Sequence, residues 1–191
     1  MALTASQMLE LHTPAPNFNL TDSVSGTQVP KSNYQNQALL VMFICTHCPF
    51  VKHIEAELAR LGKDYLEEDI GIVAISSNDP ESYPDDAPEK LKEQAETMGF
   101  TFPYLFDESQ EVAKAYSAAC TPDFFLFDSQ HLLVYRGQLD PSRPGNNLPV
   151  NGQDLRAAMD AVLAGRAVSM EQVASVGCGI KWRVGNEPVY G

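Results

Sequence analysis

Positive charge is scarce in this sequence. Its 191 residues carry 13 Lys and Arg against 25 Asp and Glu, a formal net charge of −12. Binding nucleic acid without sequence preference rests on Lys and Arg neutralising phosphates, so nucleic acid and anionic lipid are set aside as primary partners. Long apolar runs are missing too: none approaches the roughly 20 residues that a bilayer-spanning helix needs. The opening Met1-Ala2-Leu3-Thr4-Ala5-Ser6-Gln7 has neither the basic flank nor the apolar stretch of a secretory signal. The expectation is a cytoplasmic protein with no membrane partner. No internal repeat or low-complexity tract occurs. Gly-rich phosphate loops, H-E-x-x-H and G-x-S-x-G are absent, which removes the chemistries those motifs carry; no cofactor is expected.

What is present is ordinary globular composition, 44% apolar and 20% charged, in a chain long enough for one domain with a full core. Four cysteines in a cytosolic chain of this size point to redox or metal chemistry rather than a disulfide framework.

Hydrophobic patterning gives the organisation. Phe18-Asn19-Leu20 and Thr27-Gln28-Val29 flank Asp22 to Gly26 and read as a hairpin. Ala38 to Ile44 is a continuous apolar run, as in a central strand buried on both faces. Directly after Cys48 the period changes to a helical one, carried by Phe50, Ile54, Leu58 and Leu61. A second buried strand follows at Ile70 to Ile75, then a loop of prolines and acids from Asn78 to Pro88. Pro88 to Met98 reads as a helix with proline in its first turn. A shorter helix is placed around Ser109 to Ala119. Phe124 to Phe127 and Leu132 to Tyr135 form an antiparallel hairpin, and Leu155 to Leu163 an amphipathic helix. No element is assigned after Gly165. This order predicts a single α/β domain with a mixed sheet flanked by helices. Its parts are an N-terminal hairpin over about 12–35, a core over about 36–165 and an extension over about 166–191.

The chemistry is carried by Cys45-Thr46-His47-Cys48-Pro49, where a buried strand hands over to an amphipathic helix. Two intervening residues let one turn of chain bring the sulfurs together. A helix N-terminus offers unpaired N–H groups and a positive dipole end that stabilise a thiolate, lowering a thiol from about 8.5 to between about 3.5 and 7.5. Cys45 is expected as the exposed attacking thiolate, and Cys48, one turn into the helix, as the resolving thiol. His47, if protonated, would favour the Cys45 thiolate and make the pair more oxidising; the alternative is an exposed loop histidine. Lys52 and His53 are read as helix surface. Thr121-Pro122 precedes the Phe124 strand, and a proline entering a strand cannot donate to the ladder.

The CxxC at a strand-to-helix junction, Thr121-Pro122 before a Phe-Phe-Leu-Phe strand and the closing hairpin and helix together resemble the thioredoxin superfamily. Pro14-Ala15-Pro16-Asn17-Phe18, with the CxxC and Thr121-Pro122-Asp123-Phe124-Phe125, resembles more narrowly the peroxiredoxin-like branch of the alkyl hydroperoxide reductase/thiol-specific antioxidant group. The resemblance covers roughly residues 12 to 165. It implies a thioredoxin-like fold with Pro122 cis, packed against the CxxC and helping to dock substrate backbone. The departures are informative. Ile44 stands where thioredoxins have Trp, Thr46-His47 replaces Gly-Pro, and Leu39 replaces the buried acid. Read against Cys48, Val41 and Cys45 replace the Pro and Thr/Ser with which peroxiredoxins position and polarise peroxide.

Cys120, two residues before Pro122, is expected close to the CxxC pair, as a third redox thiol, a metal ligand or a small hydrophobe. Cys178, between Gly177 and Gly179, sits in a setting read as flexible; it is either an inert tail cysteine or a thiol able to reach back. Asp85-Asp86 and Asp107-Glu108 are read as solvated loop acids, and Arg136 as a charge reaching solvent at a strand end. The leading function is a thiol–disulfide oxidoreductase acting on protein or small-molecule disulfides with an electron donor. The alternatives are a thiol peroxidase, or a copper(I)- or zinc-binding protein holding the ion through Cys45, Cys48 and Cys120 with Cys178 or His47. Oligomeric state is left open.

Overall fold

The structure, a computed structural model, describes residues 3–190. In chain order they form β1 (Leu3–Ala5), β2 (Asn19–Asp22), β3 (Gln28–Pro30), β4 (Ala38–Phe43), α1 (Pro49–Asp64), β5 (Ile70–Ser76), α2 (Pro88–Met98), β6 (Tyr104–Phe106), α3 (Glu111–Ala115), β7 (Cys120–Thr121), β8 (Asp123–Phe127), β9 (Leu133–Gly137), α4 (Gln153–Leu163) and β10 (Val176–Gly179). Seven strands make one sheet in the order β3-β2-β6-β5-β4-β8-β9. The pairs β4–β5 and β5–β6 are parallel and the others antiparallel, so the sheet is mixed, as expected. Among the described residues, no helix is long and apolar enough to cross a membrane.

Alternation along β4 explains its unbroken apolar sequence. Leu40 and Met42 face a core shared with Ile54, Leu58 and Leu61 of α1, Leu91 of α2 and Met159 of α4. Leu39, Val41 and Phe43 face the opposite core, with Val112 and Ala113 of α3 and the N-terminal Phe18. Phe43, Phe125 and Tyr116 meet there at centroid distances of 5.6 to 5.9 Å, mostly edge-on as ring quadrupoles prefer. The Tyr116 hydroxyl donates to Pro16 O at 3.0 Å, tying the first segment to this layer.

The hairpin is not an appendage. Asp22, at its turn, accepts from Ser25 N at 3.1 Å and from Tyr104 N at 3.0 Å, so β2 joins β6 and extends the main sheet. Four strands were not anticipated: β1, β6, β7 and β10. The last two pair with partners distant in sequence, and β10 carries two glycines, which strands usually avoid. Residues 176–179, left without an element by sequence reading, are the centre of a second sheet, β1-β10-β7. The expected helix around Ser109 to Ala119 shortens to Glu111–Ala115. The end of the 78–88 loop forms one 3-10 turn at Pro84–Asp86.

Candidate active site

β4 delivers the chain to Cys45, and α1 starts at Pro49, where the missing N–H of proline costs no helical hydrogen bond. Cys48 is therefore the residue that caps α1, with extended φ and ψ of −69° and 124°, rather than a residue one turn into the helix. Cys45 and Cys48 are 1% and 0% exposed. The expectation of an exposed Cys45 is not met, because the second sheet lies over the pair.

Thr121 joins the two cysteines to β7. Its hydroxyl lies 3.3 Å from Cys45 Sγ, and its carbonyl oxygen accepts from Cys48 Sγ at 3.2 Å. The Thr121–Pro122 bond is cis, as the resemblance implied. Cys120 lies near enough for Cys48 and Cys178 to act on its thiol, but that thiol turns to Pro122 O at 3.6 Å, and burial raises its pKa far above the usual thiol range. Cys178 is not on a flexible tail. It lies in β10, 4% exposed, directly opposite Thr121 and opposite Leu3 of β1. Both its thiol and its backbone approach the Cys48 sulfur.

The other wall is acidic, and sequence reading missed it. Asp86, taken for a solvated loop acid, is fully buried. It accepts from Thr46 N at 2.9 Å, Asn78 Nδ2 at 2.8 Å and His47 Nδ1 at 2.5 Å. The Thr46 hydroxyl bonds both Asp86 and the Asp85 carbonyl oxygen. His47 is thus neither a free loop histidine nor an unopposed cation: its ring is held by a carboxylate and stacks on Tyr83 at 5.5 Å. The signal available in the sequence was position, since loops that follow the C-terminal ends of parallel strands carry function disproportionately. Asp107 is also buried rather than solvated, but it is structural, accepting from Ser77 Oγ and Ala113 N, each at 2.9 Å. Arg136 reaches Leu9 O at 2.8 Å and Gln172 Oε1 at 2.6 Å instead of solvent.

Electrostatics separates the two thiols. Cys48 is lowered to about 4, chiefly by a hydrogen bond from Cys45, with burial opposing and Cys178 and the Val51 N–H assisting. Cys45 is pushed well above the thiol range by that same bond to Cys48, by burial and by the Asp86 charge. The helix positive end lies at Cys48 and the carboxylate lies at Cys45, so charge on the reduced pair is favoured at Cys48, where ionisation gives up the bond its thiol donates to Thr121 O.

Among the described residues, one group has ligand atoms close enough to share an ion: Cys45, His47 and Asp86, within 4.8 Å of one another. It shares Cys45 and His47 with one of the sets expected from sequence but has Asp86 in place of Cys48 and Cys120. An ion there would compete with Asn78 and Thr46 for Asp86. A shallow cleft lined by Thr46, His47, Lys52, Glu55 and Gln94 opens beside this wall. A larger apolar groove, between Ala38, Val134, Val162 and Val168, lies at the opposite end of β4 from Cys45 and is lined by no cysteine.

Residues 11–136 match the AhpC/TSA family. The chain belongs to this family. It is 27% identical over 114 residues to the thiol-disulfide oxidoreductase ResA of Geobacillus kaustophilus, an alignment covering 60% of this chain and 61% of that protein. The family member thus matches somewhat under two thirds of the length of its curated relative. A crystal structure of an uncharacterized conserved protein from Geobacillus kaustophilus is 53% identical, with a TM-score of 0.94 over 96% of this chain and 97% of that one. A thiol:disulfide interchange protein of the thioredoxin family from Chlorobium tepidum is 17% identical, with a TM-score of 0.58 over 75% of this chain and 97% of that one; this likeness concerns the fold, which is thioredoxin-like.

Proposed function

We propose that this AhpC/TSA member is a thiol–disulfide oxidoreductase working through Cys45 and Cys48. The observation that carries the reading is the CxxC pair at the start of α1 with both sulfurs gathered on Thr121, Cys45 Sγ 3.3 Å from its hydroxyl and Cys48 Sγ 3.2 Å from its carbonyl oxygen, one thiol lowered to about 4 and its partner raised. Two vicinal thiols sharing one charge are prepared for attack and for resolution. The name of the ResA relative agrees with it.

The charge supports an order opposite to that expected from sequence. The Cys48 thiolate attacks one sulfur of a substrate disulfide, and the other substrate sulfur leaves with the electron pair. Cys45 then gives up its proton and attacks Cys48 Sγ, which releases the reduced substrate and leaves the Cys45–Cys48 disulfide for an external thiol donor. Asp86 disfavours charge on Cys45, so the resolving thiol stays protonated until the mixed disulfide has removed the charge at Cys48.

A glutathione or dithiothreitol redox titration with mass mapping tests this. One two-electron transition with a Cys45–Cys48 bridge is expected. A midpoint near about −270 mV would indicate a reductant, and one between about −180 and −120 mV an isomerase or oxidant. If no Cys45–Cys48 bridge forms at any poise, the reading fails. Peroxide reduction is expected at free-cysteine rates in stopped-flow, because Val41 and Cys45 stand at the two positions that would orient the oxidant.

A further inference from the structure

The second sheet is built to hold a third sulfur against the first two. In an antiparallel pair, directly opposite residues project to the same face with Cβ atoms about 4.5–5.5 Å apart. Cys178 is opposite Thr121, whose hydroxyl is 3.3 Å from Cys45 Sγ and whose carbonyl accepts from Cys48 Sγ at 3.2 Å. Register alone therefore points Cys178 at the CxxC. The approach is close by construction. A Cβ on Gly177 would lie 2.0 Å from Thr121 O, and one on Gly179 3.0 Å from Thr4 Oγ1, so any larger residue would push β10 away. Ser175 Oγ donates to Pro122 O at 2.6 Å, Ser6 N to Ser175 O at 2.9 Å, and Lys181 N to Asn78 Oδ1 at 2.8 Å. These bonds fix both ends of the strand. A tail cysteine with no role needs none of this.

We infer that Cys178 is a third redox thiol, which exchanges with the Cys45–Cys48 disulfide to give an internal Cys48–Cys178 disulfide and a free Cys45. The inference rests on the reading of Cys45 and Cys48 as the redox pair. In the exchange, Cys178 loses its proton and attacks Cys48 Sγ along the side opposite Cys45. The Cys48–Cys178 bond forms, the Cys45–Cys48 bond breaks, and Cys45 leaves with the electron pair and takes up a proton. Nothing is oxidised or reduced overall; the disulfide moves one sulfur along. In the reduced protein burial and the Cys48 thiolate hold the Cys178 thiol up at about 12. Once Cys48 is in a disulfide its charge is gone, while Lys181 remains to favour the Cys178 thiolate. Oxidation of the pair thus removes one of the two influences that hold the Cys178 proton, and burial, the larger, remains.

The test uses full-length Cys45→Ser protein, reduced and then treated with diamide, which couples neighbouring thiols. After alkylation and trypsin digestion, peptide 32–52, containing Cys48, is expected joined to peptide 167–181, containing Cys178. Cys45→Ala should give the same linkage, and adding Cys178→Ser should abolish it. Recovery of alkylated Cys178 with Cys48 unlinked in both single variants, or linkage of Cys48 to Cys120 in peptide 115–136, would overturn the inference. In unmutated protein the Cys45–Cys48 bridge forms within peptide 32–52 and reports separately. Its absence would sink the proposed function, whereas its presence without the Cys48–Cys178 linkage would sink only the third thiol.

Discussion

Single residues decide where the charge of this site sits. The reduced pair carries one negative charge and the disulfide carries none, so a neighbouring anion disfavours reduction. Asp86→Asn keeps the acceptor for Thr46 and removes the charge. Its redox titration should therefore shift toward oxidising by about 30 mV or more, since 30 mV corresponds to 1.4 kcal/mol for two electrons. Thiolate absorbance in the reduced protein should rise by one thiolate as pH increases through about 4 and be missing in Cys48→Ala. That pKa is depressed relative to an unfolded thiol near 8.5, so its stabilisation is complete above about 8.5 and lost as pH falls to about 4. Asp123 has the opposite sign. It is fully buried, and desolvation raises it to about 7, above an unfolded value near 3.9. The stability it contributes is full below about 4 and lost as pH rises through 7. Asp123→Asn should recover up to about 4 kcal/mol at pH 8 and little at pH 4, read from urea midpoints against the parent protein.

At the level of elements, β10 is the part whose removal should change chemistry before stability. Gly177→Val would drive a side chain into the Thr121 carbonyl and lift the strand. Alkylation of reduced Cys48 by iodoacetamide is expected to accelerate at least tenfold, while thermal unfolding falls by only a few degrees because β10 contributes only Cys178 to the two cores. Equal labelling rates would mean that β10 does not cover the sulfur. What was legible in the sequence follows from the same physics. The helix over 88–98 could be read to the residue, since Pro88 and the spacing of Leu91 and Ala95 are local signals. The CxxC and its strand–helix junction were legible for the same reason. β6 and β10 have three and four residues, too few for a period, and they exist only through distant partners. Asp86 looked like any acid among loop prolines; its burial is created by Asn78, Thr46 and His47, which meet it only in the fold.

Across the whole molecule, two cores on either face of one sheet hold the site from below, and charge pairs brace α1 from the side. Glu57, 2% exposed on α1, accepts from Arg156 of α4 at 2.8 Å and also pairs with Arg60. Arg156→Ala would leave that buried carboxylate partly uncompensated, and a loss of roughly 2–3 kcal/mol in urea unfolding is expected, with the redox potential unchanged. The net charge of −12 favours encounter with cationic partners and makes their association salt-dependent. The strand order across β1, β10 and β7 has a further consequence in time. Synthesis runs from the N-terminus, so α1 with Cys45 and Cys48 leaves the ribosome well over a hundred residues before β10 does. Every nascent copy passes through a stage in which the low-pKa sulfur has no lid, and oxidants or chaperones present during translation meet a more reactive molecule than the finished one.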